Sequence, residues 1–144
     1  MKQLEEKMTK AGIREIDVMT GEEFEDYLAV LFKRYGYQVE MTPGSNDFGA
    51  DLILEGSERI VVQAKRYRRT VGIKAVQEIH SAKLYYHAQE AWVITNNYFS
   101  ANAIELAVST GIRLIDREEL LDMILTLSKS ESAETRTSRY ARKG

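Results

Sequence analysis

The apolar positions of the chain switch between two periods. From Thr20 they recur at helical spacing: Phe24, Leu28, Leu31 and Tyr35, flanked by Tyr27 and Phe32, with Gly36 as the stop. The "TGEE" that opens this run is a capping box, in which Glu23 reaches back to the backbone of Thr20. "YQVEM" reads as a strand, followed by the loop "TPGSNDFG", which holds the single proline. "ADLILE" and "RIVVQAKRY" then alternate as two strands. "VGIKAVQEIHSAKLYYHAQ" predicts a helix and "AWVIT" a buried strand. "FSANAIELAVSTG" predicts a helix between Ser100 and Gly111, "IRLID" a strand and "REELLDMILTL" a last helix. A hairpin that passes into alternating strands and helices implies an α/β fold, with a mixed central sheet flanked by helices on both faces.

Residues 1–19 read as a short charged helical extension and connector, and residues 20–127 as the folded domain. The tail 128–144 lacks Leu, Ile, Val and Phe and is expected to be disordered, because it has little to bury against its ordering entropy. At 144 residues, 44% hydrophobic and 29% charged, the chain is of one-domain size with a globular composition. It has no cysteine, which removes disulfides and thiolate metal sites from consideration. No apolar run is long enough to span a bilayer, and the N-terminal residues lack the apolar core of a signal peptide, so the cytoplasm is the expected location. The formal net charge of −2 predicts no nucleic-acid partner by itself. The local distribution does more: Lys65, Arg66, Arg68, Arg69 and Lys74 cluster with no acid among them, a footprint suited to phosphates.

The hairpin raises the chemical question. Side chains on a strand alternate faces, which groups Asp51, Ile53 and Glu55 opposite Ala50, Leu52 and Leu54. On the next strand Gln63 and Lys65 share a face with Val61 and Tyr67, opposite Ile60, Val62 and Ala64. If the turn is the three-residue loop Gly56-Ser57-Glu58, Glu55 pairs with Arg59, Asp51 falls opposite Gln63, and Asp51, Gln63 and Lys65 meet on one face; a two- or four-residue loop would separate Asp51 from them. Separately, such residues are ordinary turn and strand-end groups. Together they suit phosphodiester hydrolysis with Mg²⁺, a hard cation that takes carboxylate and amide oxygens, beside an ammonium that orients water or steadies charge.

"DFGADLIL" followed by "VVQAKRY" resembles the PD-(D/E)xK nuclease core in its Q-x-K variant, the form of Mrr-type restriction endonuclease catalytic domains. "TGEEFEDYLAVLFKRYGYQVE", "VGIKAVQEIHSAK" and "VITNNYFSANAIELAVSTGIRLID" resemble its other segments, so the likeness covers about residues 20–125. The resemblance implies an αβββαβ restriction-endonuclease-like core, DNA cleavage, dependence on Mg²⁺ with Mn²⁺ as a substitute, and an acid from the first helix at the metal. Glu25 fits that acid, with Glu22 in reserve. The expected site is therefore Glu25, Asp51, Gln63 and Lys65, the first three as metal ligands. Arg66, Arg68, Arg69 and Lys74 are expected on double-stranded DNA, with Asp47 and Gln77 in the wider site. A homodimer is expected, since cutting two strands with one site per chain favours two-fold symmetry. Two other functions fit the same core: a Holliday-junction resolvase, whose usual E-x-K is absent here, and an inactive DNA-binding module. His80 and His87 are expected to pack or lie at the surface rather than catalyse, Trp92 is expected in the core, and packing is favoured over DNA stacking for Tyr85 and Tyr86.

Overall fold

A computed structural model describes residues 12–43 and 48–141, with side chains to residue 130. A short helix, α1 (12–17), precedes α2 (Gly21–Arg34), β1 (Gln38–Met41), β2 (Leu52–Glu55) and β3 (Arg59–Lys65). Then follow α3 (Ile73–Tyr85), β4 (Glu90–Thr95), α4 (Ala101–Thr110), β5 (Arg113–Ile115) and α5 (Arg117–Ala141). The strands form one sheet in the order β1-β2-β3-β4-β5. β1 to β3 are an antiparallel meander, whereas β4 and β5 join parallel, each after a crossover helix. The mixed sheet is thus antiparallel on one side of β3 and parallel on the other.

Each face of the sheet carries its own core. On one, Phe24, Leu28 and Phe32 of α2 meet Leu52, Leu54, Ile60, Val62, Trp92 and Ile94, with Leu120 and Leu127 of α5. On the other, Val76 and Ile79 of α3 and Ala103 and Ala107 of α4 cover Ile53, Val61 and Val93. The pattern follows from alternation: neighbouring residues of a strand go to opposite layers. Trp92 is in the first core, tilted against Phe32 with centroids 5.9 Å apart.

Local signals place the helix ends as the sequence implies. Thr20 accepts from the Glu23 N–H while Glu23 accepts from the Thr20 N–H. Ser100 caps α4, and Gly111 ends it at φ 70°. Three expectations change. Ile13 and Ile16 are buried in the first core, so the N-terminal extension contributes to the domain rather than preceding it. Ala50 packs in the second core and not with Leu52 and Leu54, because β2 begins only at Leu52 and alternation does not yet govern residue 50. Helix α5 continues to Ala141, through most of the tail expected to be disordered. That segment has no proline, its glycine comes only at position 144, and its Ala, Glu, Lys and Arg are good helix formers. Among the described residues no helix is long and apolar enough to cross a membrane.

Candidate active site

The β2–β3 turn sets the register. Glu55 lies opposite Arg59 and Leu52 opposite Val62, as the three-residue loop requires. A Glu55–Arg59 ion pair at 2.6 Å closes the turn. Beyond Leu52 the strands part, but Asp51 adds one more rung: its N–H donates to the Val62 carbonyl at 2.8 Å. Ala64 has the same parity as Val62, so its N–H faces the space where β2 has ended. The Asp51 carboxylate accepts that N–H at 2.8 Å, satisfying a donor that would otherwise be orphaned. The acid is therefore fixed by the end of the ladder.

Glu25 reaches this point from α2. Its half-buried carboxyl is pushed up to about 8 by desolvation first, then by the charge and hydrogen bond of Asp51, with smaller pushes from Glu22 and Asp26. The Glu25 carboxyl thus holds its proton more tightly than usual beside Asp51. Two neighbouring carboxyls, one of which keeps its proton, form a place where a cation can substitute for that proton.

Gln63 is buried, at 4% exposure, in the middle of an apolar strand. Its amide nitrogen donates to the Glu78 carboxylate of α3 at 2.7 Å, while its amide oxygen is buried with no partner. An orphaned buried oxygen carries a desolvation cost of about 1–3 kcal/mol. It is also the donor type that a hard cation accepts. Among the described residues no three His, Cys, Asp or Glu side chains form a metal cluster. Two carboxylates and an unsatisfied amide oxygen fit a divalent cation such as Mg²⁺.

Glu25 comes from the helix on one face of the sheet and Glu78 from the helix on the other. The Asp51 carboxylate itself lies at the open end of the β2–β3 pair, on the Ala64 N–H. Lys65, half-buried two residues beyond Gln63, lines a cavity of about 370 Å³ together with Tyr67, Arg69, Lys74 and Glu78. The ring of Tyr67 holds both cations near it: Lys65 Nζ and the Arg69 guanidinium each lie 5.6 Å from its centroid.

The other predicted residues divide. Arg68, Arg69 and Lys74 are exposed. Arg66 is turned away, donating at 3.2 Å to the carbonyl of Asp17 in α1, because it shares the parity of Ala64. Glu22 is exposed and acts on Glu25 only through charge. Gln77 is exposed on α3, and Asp47 lies outside the described residues. His80 is half-buried on α3 and His87 follows that helix at φ 54°. Tyr85, 54% exposed, stacks on Phe48 at 4.0 Å and meets Tyr86 edge-on at 4.9 Å.

Glu78 was not singled out by the sequence. Its signal is helical spacing: it falls between Ala75 and Ala82 on the stripe that faces the sheet, whereas Gln77 does not. Asp17 and Asn96 were missed as well. Arg117 donates to both Asp17 oxygens, at 2.6 and 3.0 Å, and Asn96 donates to one of them at 3.0 Å. Asn96 in turn accepts the Tyr67 N–H at 2.8 Å, so this network anchors the backbone just beyond Lys65.

This mixed sheet with flanking helices is the fold of restriction endonucleases. It resembles the solved structure of the DNA modification-dependent restriction endonuclease AspBHI with a TM-score of 0.63, at 18% identity, over 86% of this chain and 36% of that one. It also resembles the MspJI restriction endonuclease, solved in complex with a 27-mer oligonucleotide. There the TM-score is 0.57, at 20% identity, over 84% of this chain and 31% of that one. The restriction endonuclease family model Mrr_cat matches residues 16–124, and the chain belongs to that family. It is 26% identical over 135 residues to the type IV methyl-directed restriction enzyme EcoKMrr of Escherichia coli (strain K12), a match covering 87% of this chain and 44% of the relative. The chain thus spans under half the length of that relative.

Proposed function

We propose that this chain is a Mg²⁺-dependent DNA endonuclease of the restriction type, in which Glu25, Asp51, Gln63 and Lys65 carry the cutting step. The observation that supports the reading is the meeting of the Glu25 and Asp51 carboxyls before β2, with a buried, unsatisfied amide oxygen at Gln63 and an ammonium two residues on. Asp51, Glu25 and the Gln63 oxygen would hold the cation, which when bound would supply Lewis acidity toward the scissile phosphate and a lowered pKa for water. Asp51 stays in place through its bond to the Ala64 N–H. Lys65 orients the attacking water and steadies the charge that grows on the phosphate. Arg68, Arg69 and Lys74 bind flanking phosphates, which makes affinity fall steeply with salt.

Cutting of both strands fits a homodimer with one such site per chain. Dependence on DNA modification belongs to this proposal too, supported by the methyl-directed and modification-dependent relatives.

The test is incubation of methylated and unmethylated plasmid with Mg²⁺ or Mn²⁺, alongside Asp51→Ala. Cutting that requires both the cation and Asp51 is expected. Lys65→Ala is expected to retain DNA binding in a gel-shift assay and to lose cleavage by about 10²-fold or more. Undiminished cutting by Lys65→Ala removes Lys65 from the mechanism. A chain that binds DNA but takes up no Mn²⁺, with or without DNA, is an inert binding module.

A further inference from the structure

Gln63 presents a problem that an acid at the same position would not. A carboxylate offers oxygen whichever way it turns, whereas an amide offers oxygen from one end and N–H₂ from the other. Rotation by half a turn would aim two N–H donors at the place where a cation must find a lone pair. Something has to fix the flip.

We infer that Glu78 is a positioning residue that fixes the Gln63 amide with its oxygen toward the cation site. The inference rests on the metal-dependent reading above. The Glu78 oxygen accepts the hydrogen bond, so the end of the amide facing it is the N–H₂. The bond from the Gln63 nitrogen to Glu78 is 2.7 Å long, and the oxygen left over is the buried atom without a partner. Glu78 is in turn held from two sides. Lys74, one turn earlier on α3, lies 3.8 Å from its other oxygen. Gly49, in the segment leading to Asp51, packs on its backbone so closely that a Cβ there would sit 2.4 Å from the Glu78 carbonyl oxygen. The carboxylate that sets the amide is thus seated beside the segment that delivers Asp51. A neutral glutamine at the third ligand position becomes usable because an acid on a neighbouring helix gives it a direction.

The experiment is a Mn²⁺ titration, followed by the EPR signal of free Mn²⁺, on the full chain with and without duplex DNA. The unaltered chain should bind and Asp51→Asn should not. Glu78→Gln keeps the size of the side chain but can donate as well as accept, and should weaken Mn²⁺ binding by about 10–100-fold. Thermal melting establishes that the variant is folded. In a Gln63→Glu background the sign should invert. There Glu78 faces another carboxylate, so adding Glu78→Gln supplies a donor and strengthens binding. A merely structural Glu78 would show the same loss in both backgrounds, and that result overturns the inference. Unchanged binding by Glu78→Gln, with Asp51→Asn silent, overturns it while leaving the metal reading intact. Failure of the unaltered chain to bind Mn²⁺ overturns both.

Discussion

Glu25 shows what one side chain records about its surroundings. Its folded pKa, about 8, stands above the ordinary 4.5, mainly through desolvation and secondly through Asp51. For a carboxyl shifted this way, the associated stability is fully present below the ordinary value and lost as pH rises toward 8, with little further change above. In metal-free buffer the melting temperature should therefore fall between about pH 5 and 8 by more in the parent chain than in Glu25→Gln, whose neutral amide does not titrate. Mn²⁺ should shrink that difference, since a cation replaces the proton. Equal pH profiles for the two proteins would contradict the pairing. That Glu25 lies on the first helix was legible before the fold was known, through the capped apolar stripe that surrounds it. Its raised pKa was not, because that depends on how deeply α2 packs against the end of β2.

At the scale of elements, the hairpin was the most legible part. A three-residue turn and strict alternation are enough to specify which residues face each other, and Glu55 against Arg59 follows. Alternation also assigns Arg66 to the face opposite Lys65, where it donates to the Asp17 carbonyl. It fails at Ala50 and Asp51, which precede β2 and obey the loop. Gly49 explains why: φ of 89° and close contact with α3 shape the approach to Asp51. Gly49→Ala meets both obstacles at once and should cost more than about 1 kcal/mol in urea unfolding. It should also weaken Mn²⁺ binding, since the Asp51 segment and the Glu78 backbone would both have to move. An unchanged unfolding midpoint would show that the loop has more room than its contacts imply.

For the molecule as a whole, the class of fold was written in the order of elements, whereas its closure was not. Asp17 and Arg117 are too far apart in sequence for any local pattern to pair them. Yet their bond ties α1 to the start of α5 and, through Asn96, to the backbone beyond Lys65. The Arg117 hydrogen bonds, the largest influence, hold the Asp17 carboxyl below its ordinary range, outweighing burial. Arg117→Ala should lower stability by about 1–3 kcal/mol at neutral pH, measured by chemical denaturation. The deficit relative to the parent should narrow in acid, as Asp17 takes up a proton and the pair is lost in both. A constant deficit would assign the effect to packing instead. β3 is the middle strand of five, flanked by an antiparallel neighbour on one side and a parallel one on the other, with a core on each face. Peripheral elements fray first in such an arrangement, and the centre opens only when everything does. The amide and the ammonium therefore sit on the segment that yields last, whereas Asp51 arrives from outside the ladder, so gentle heating should disarm the molecule by releasing the acid while the sheet is still intact.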